Sequence, residues 1–471
     1  MSRLTPLHTW IAGAALAWAT STQAAEGVKL PPVQRAQLAN GAQVALVEKR
    51  DTPLVAMTIT VRGGALGDAA GKEGTASLFA DLIQKGAGKR NAARFAEAVE
   101  TAGGSLAASA GSESLGVSAS FMARDVDLML ELAGDALQRP ALAPAEFEKA
   151  RTLAIQSLAA AKDADPRALI AEYGDAWLFR GHPYGRPVGG SEGSLAAVTI
   201  EDVQRFYATQ VGGDRTIITV VGDIDAQAML GKLERTFGGW RKAGAPLPAA
   251  PAPQPISGRR VLLVDKPGAT QTYFWLGNVG ASRTDPARTQ QSVVNTAFGG
   301  RYTSMLNTAL RIDSGLTYGV SARFDRALQP GSYSISSYTA TESTVQAIDL
   351  ALAMLEKLRR DGLDGPTLAS AKSYMLGQFP PTLETNGQLA GRLADLLFYG
   401  LGPEDVDEYA QRVATVDAAA VRDTIERAFP KPGDLAMVLI GDAAKIRAQL
   451  QKYGRLTEMK ITDPQFAPPQ T

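Results

Sequence analysis

Strand-like and helix-like patterns come in clusters along this chain rather than one by one. Residues 43–48 and 54–61 alternate apolar and polar positions or run β-branched, which predicts two paired strands. Apolar residues then recur at helical spacing over 75–85 and 92–101. Residues 105–109 and 115–121 predict a second strand pair, and 125–138 and 145–162 a second helix pair. The succession returns later, with strands over 260–264 and 271–276 and helices over 286–297 and 302–312. Strands over 317–324 and 332–338 follow, then several long helices. Hairpins and helix pairs in clusters point to an α+β fold with largely antiparallel sheets.

The halves also repeat one another in detail. Val220-Val221-Gly222-Asp223 closes the first as a short apolar strand and a Gly-Asp turn, and Leu439-Ile440-Gly441-Asp442 closes the second. Upstream, Thr199 and Asp417 stand as N-caps before helix starts. Further back, Phe147-x-x-Ala150-Arg151 matches Leu368-x-x-Ala371-Lys372. The offsets stay between 218 and 221 residues, which argues for duplication. Between the halves, residues 241–258 hold five prolines and two glycines, a linker composition. The expected organisation is two homologous α+β domains, 25–240 and 259–457, joined by that linker, with 458–471 as a tail.

Composition narrows the function. The 471 residues are 45% hydrophobic and 20% charged, with 48 basic against 48 acidic side chains. That balance argues against a basic nucleic-acid-binding protein and an acidic disordered chain. With no cysteine, disulfides, thiolate metal sites and cysteine nucleophiles are excluded. At the N-terminus, Arg3, the apolar run from Trp10 to Ala19 and Thr22-Gln23-Ala24 form a secretory signal pattern, with cleavage expected after Ala24. No cysteine follows that point, so a lipoprotein is not expected, and a bacterial periplasm fits best. Cleavage removes His8 and leaves His182 as the one histidine. No site in the mature chain then has two imidazoles.

Three motifs carry a resemblance. Gly74-Thr75-Ala76-Ser77-Leu78-Phe79-Ala80-Asp81 follows the first strand pair, His182-Pro183-Tyr184-Gly185 comes later, and the Val-Val-Gly-Asp strand closes the half. With the duplication, this resembles the pitrilysin, insulinase and mitochondrial processing peptidase family over essentially the whole mature chain. The resemblance implies a half-clamshell of two domains. The family's working helix carries H-x-x-E-H, two zinc-binding histidines and a water-activating glutamate. Laid on this sequence, those three positions fall on Ser77, Ala80 and Asp81. The distal ligand, seven residues after Glu148, falls on Ile155, or on Gln156 if the alignment slips by one. One carboxylate does not make a tight zinc site, so no metal is expected in this chain. A Ser77–Asp81 nucleophile with His182 as base is disfavoured, because the family pattern puts His182 in a remote, turn-rich loop.

The second half retains what the first has lost. Phe298-Gly299-Gly300-Arg301-Tyr302 leads to Arg311-Ile312-Asp313-Ser314-Gly315-Leu316-Thr317-Tyr318. This resembles the family's second-domain signature, in which an arginine and a tyrosine seven residues later face the zinc site. Arg311 and Tyr318 match that pair. Arg311 is expected to end a helix, Gly315 to permit the turn and Tyr318 to begin a returning strand. The glycine pair lacks the Lys-Ser/Thr of a phosphate loop. The resemblance implies a zinc-free subunit that lends Arg311 and Tyr318 to peptide binding. Its partner would be a homologous chain with H-x-x-E-H that holds the zinc. The alternative is a stand-alone peptide-binding or scaffold protein that uses the fold without proteolysis.

Overall fold

The computed structural model describes residues 27–468. The signal pattern of residues 1–24 lies outside the described residues. The first half holds β1 (Gln34–Gln37), β2 (Gln43–Glu48), β3 (Leu54–Arg62), β4 (Ser105–Ala110), β5 (Ser114–Met122) and β6 (Thr216–Gly222). Its helices are α1 (Thr75–Leu82), α2 (Ala92–Thr101), α3 (Val126–Gln138), α4 (Pro144–Ala164), α5 (Ile170–Leu178), α6 (Ile200–Gln210) and α7 (Ala226–Phe237). The second half holds β7 (Arg260–Asp265), β8 (Gln271–Val279), β9 (Val320–Phe324), β10 (Ser332–Ala340), β11 (Ala436–Gly441) and β12 (Leu456–Lys460). Its helices are α8 (Arg288–Phe298), α9 (Thr344–Asp361), α10 (Gly365–Gln378), α11 (Asn386–Tyr399), α12 (Ala418–Ala428) and α13 (Ala443–Leu450).

Two six-stranded sheets result, ordered β1-β2-β6-β3-β5-β4 and β9-β10-β8-β11-β7-β12. Five strands of each occupy equivalent places. Val220 of β6 pairs in parallel with Leu46 and antiparallel with Met57. Val438 of β11 pairs the same way with Leu262 and Trp275. The fold is therefore α+β in two related domains, with mostly antiparallel sheets and a parallel pair recurring at one place. The duplicated caps are present too: Thr199 accepts from the Asp202 backbone N–H at 3.3 Å and Asp417 from that of Ala420 at 2.8 Å.

β6 and β11 are buried along their whole length, as their continuous apolar runs require. The cover on the second face comes from the other half. Tyr173 and Trp177 of α5 pack on Leu262, Trp275 and Val438 of the second sheet. A Cβ on Gly174 would lie 2.5 Å from the Trp275 ring, so the helix backbone rests directly on the indole. Reciprocally, Leu389, Leu393 and Leu396 of α11 pack on Val47 and Val221 of the first sheet. Thr219 Oγ1 donates to the Ala390 carbonyl at 2.9 Å, and Arg62 donates to the last carbonyls of α11, Leu397 (3.0 Å) and Phe398 (2.7 Å). The two halves exchange equivalent helices, which locks them together.

Several expectations change. Residues 302–312 do not form one helix: a single turn, Met305–Asn307, widens into a π-helical segment, Thr308–Asp313. β9 starts at Val320 rather than 317, because Thr317 Oγ1 accepts from the Gly319 N–H at 3.1 Å and holds a local turn. Residues 458–471 are not a tail from the start. Residue 458 lies inside β12, which runs parallel to β7, and buried Phe466 meets Tyr173 edge-to-face at 4.9 Å. Apolar Met459, Ile461 and Phe466 drive that docking. Residues 241–258 carry no helix or strand and are strapped down at their ends: Ala245 N–H donates to Thr209 and buried Ile256 is held by Asn278.

Candidate functional site

α1 begins at Gly74, whose φ of 97° and tight surroundings suit only glycine: a Cβ would lie 3.0 Å from the Gly189 carbonyl oxygen and 2.8 Å from Leu195. Buried Asp68 secures this start by accepting from the Gly74 and Ala76 N–H groups, each at 2.9 Å. Burial pushes the Asp68 carboxyl up to about 7, with the backbone donors opposing and Glu73 adding to the rise. Leu78, Phe79, Leu82 and Ile83 face the core.

α4 packs beside α1, so the equivalents of the metal positions share one region. Their chemistry does not fit zinc. Ser77 Oγ donates to the Val188 carbonyl at 2.8 Å and is spent on that loop. Ala80 is 2% exposed and part of the core. Ile155 packs against the same core from α4, while Gln156 points to solvent. Glu148 pairs with Arg151 at 2.6 Å. Asp81 alone offers a carboxylate. Its own surface stays in water, but the surrounding protein raises it above the ordinary carboxylate range, partly offset by Lys85. Among the described residues no cluster of three or more His, Cys, Asp or Glu is arranged to hold a metal. One carboxylate and a committed hydroxyl fall short of a zinc donor set.

His182 is equally committed. Nδ1 accepts from the Tyr184 N–H at 3.1 Å, so the other ring nitrogen carries the proton and donates to the Pro251 carbonyl at 2.8 Å. It fastens a turn to the proline-rich segment and is no base for Ser77.

The second-half pair is assembled differently. Arg311, in the π-helical segment, stacks over Tyr318 at 4.4 Å from its ring centroid. On its other contact it lies over Tyr302 at 4.7 Å. Tyr302 was not singled out from the sequence. Its signal was an aromatic just after the glycine pair, but the irregular helix hid which face it shares with Arg311. Tyr318 is 73% exposed and Tyr302 58%, both unusual for tyrosine. The Arg311 guanidinium makes no hydrogen bond or ion pair among the described residues. Ring stacking leaves its in-plane donors free for a carbonyl or carboxylate. No helix of the described residues is long and apolar enough to cross a membrane.

Comparison with known proteins gives a family. Residues 43–192 match the family described as "Insulinase (Peptidase family M16)" and residues 197–375 match "Peptidase M16 inactive domain". An uncharacterized zinc protease of Mycobacterium leprae is 26% identical over 380 residues, 79% of this chain and 85% of that one. Its counterpart in Mycobacterium tuberculosis is 28% identical over 325 residues, 68% of this chain and 73% of that one. Among solved structures, a peptidase M16 inactive domain from Pseudomonas fluorescens superposes with a TM-score of 0.81 at 20% identity, covering 87% of this chain and 98% of that one. A protease from Helicobacter pylori gives 0.79 at 20% identity, over 87% and 100%. The two matched segments follow one another from residue 43 to residue 375, reaching into both halves, and the chain belongs to the insulinase family, peptidase family M16.

Proposed function

We propose that this chain is the non-catalytic, substrate-binding subunit of a periplasmic heteromeric zinc peptidase. The observation that carries this reading is the contrast between two sites. The metal positions hold Ser77, Ala80, Asp81 and Ile155, none able to assemble a zinc centre, while half-buried Arg311 lies between the exposed rings of Tyr302 and Tyr318 with its donors unspent. The relatives named zinc proteases supply the reaction class. The signal pattern of residues 1–24 supports export. A homologous partner with H-x-x-E-H would hold the zinc and activate the water that attacks the peptide. Arg311 and Tyr318 would bind the peptide carbonyl from this side and stabilise the oxyanion that develops on it. Two donors converging on one oxygen bind it more strongly as negative charge accumulates there, so they favour the transition state over the bound peptide.

The test is affinity capture of the tagged protein from its native periplasm, with mass spectrometry of what co-purifies. A stoichiometric homologue carrying H-x-x-E-H is the expected result. A solitary homodimer, or unrelated partners only, overturns the subunit reading in favour of a stand-alone peptide-binding protein.

A further inference from the structure

The seam between the halves forms a cavity of about 420 Å³ that is open to solvent on one side. One wall is the 185–190 loop of the first half, which Ser77 anchors through the Val188 carbonyl. A second is α5, and a third is the β9–β10 connection of the second half, residues 323–332. Leu158, Phe179 and Phe466 supply apolar surface.

The polar groups here are short of partners. Three buried side-chain atoms at this cavity lack a well-aligned hydrogen bond: Arg326 Nε, and Asp175 Oδ1 and Ser332 Oγ, whose residues lie close enough to interact with each other. Buried polar atoms are normally satisfied, so three at one cavity mark a place where something else completes the bonding. Glu172, one turn before Asp175 on the same face of α5, stands at the solvent-exposed edge of the cavity and has no ion-pair partner among the described residues; nearby Arg323 is engaged by Asp325 at 2.9 Å. Burial pushes the Asp175 carboxyl up to about 7, with Ser332 and Arg323 opposing and Asp325 and Glu172 adding to it. On the loop wall, the Arg186 guanidinium makes no hydrogen bond or ion pair among the described residues. Two acids stand on one element, with Arg323 nearby but paired to Asp325, and an unpaired guanidinium stands on another.

We infer that this interdomain cavity binds a short peptide with both termini free, its ammonium group at Glu172 and Asp175 and its carboxylate at Arg186. A free carboxylate suits the planar fork of an unpaired guanidinium. An ammonium supplies the donors that Asp175 and Glu172 lack. The apolar wall takes the side chains between them, and the volume is in the range of small-molecule sites. The inference goes beyond the composite-peptidase reading and does not depend on it.

The test is isothermal titration calorimetry of the full mature chain, without any partner, using the tripeptide alanyl-phenylalanyl-alanine. Saturable one-to-one binding is expected, weakened by about tenfold or more when the peptide is N-acetylated or C-amidated. Arg186→Ala and the near-isosteric Asp175→Asn should weaken it by a similar factor with the thermal unfolding transition unchanged. No binding at millimolar peptide overturns the proposal. Binding indifferent to blocked termini overturns it as well, and free phenylalanine binding as tightly as the tripeptide overturns the peptide assignment. Because no partner is present, a negative result here leaves the co-purification test standing, and a failed co-purification leaves this one.

Discussion

One strand order serves both halves of this chain, yet their polar side chains are used in opposite ways. Near α1, Asp81 apart, the hydrogen-bonding capacity is spent inside the protein: Ser77 on Val188, Asp68 on Gly74 and Ala76, His182 on Tyr184 and Pro251. In the second half, Arg311 meets only the faces of Tyr302 and Tyr318, and all three lie at the surface. A shared backbone plan therefore says little about chemistry. What distinguishes a structural region from a binding one is whether its donors and acceptors are already committed.

The comparison rests on a rigid frame, and the frame can be broken at either exchanged helix. Leu393→Ala empties a 2% exposed site where α11 covers the first sheet, and should lower stability by about 2–5 kcal/mol in chemical unfolding. A loss well under 1 kcal/mol would mean that α11 is not part of the first half's cover. Gly174→Val drives a side chain into Trp275 on the opposite seam and should cost roughly 1–3 kcal/mol.

Asp68 gives the committed region a pH signature. Its folded carboxyl sits at about 7 against 3.8 for an unperturbed aspartate, so the fold holds its proton more tightly than the unfolded chain does. The stability this contributes is fully present below pH 3.8 and is lost as pH rises through about 7. Measured against Asp68→Asn, the wild type should lose relative stability between pH 5 and pH 8. A difference constant over that interval would show that the carboxyl titrates normally. The smallest effect belongs to Ser77→Ala, which removes one hydrogen bond to Val188 and should cost about 1 kcal/mol.

Much of this was legible in the sequence, for identifiable reasons. β5 alternates buried and more exposed residues along most of its length, and β6 is a β-branched run, polar only at its threonines, so both announce themselves. Thr199 and Asp417 mark their helix starts because capping is local chemistry. The edge strands β1 and β12 lack any such alternation, with Met459 the one buried residue between them. The partner of α5 was hidden for another reason. Tyr173 and Trp177 show that the helix has an apolar face, but not that the face meets a sheet formed some hundred residues later. That the family's metal positions lack zinc ligands here was plain from Ser77, Ala80, Asp81 and Ile155. The pairing of Arg311 with Tyr318 was expected from the family resemblance, whereas Tyr302 needed the π-helical segment to bring it to the same guanidinium.

The central claim is that Arg311, uncommitted within this chain, acts in a site completed by another chain. The direct measurement is peptidase activity of the reconstituted pair with Arg311→Ala, alongside a check that the pair still assembles. The account predicts a fall of roughly tenfold or more in kcat with assembly intact, the scale of losing an oxyanion-stabilising donor. Unchanged activity in an intact pair would contradict it.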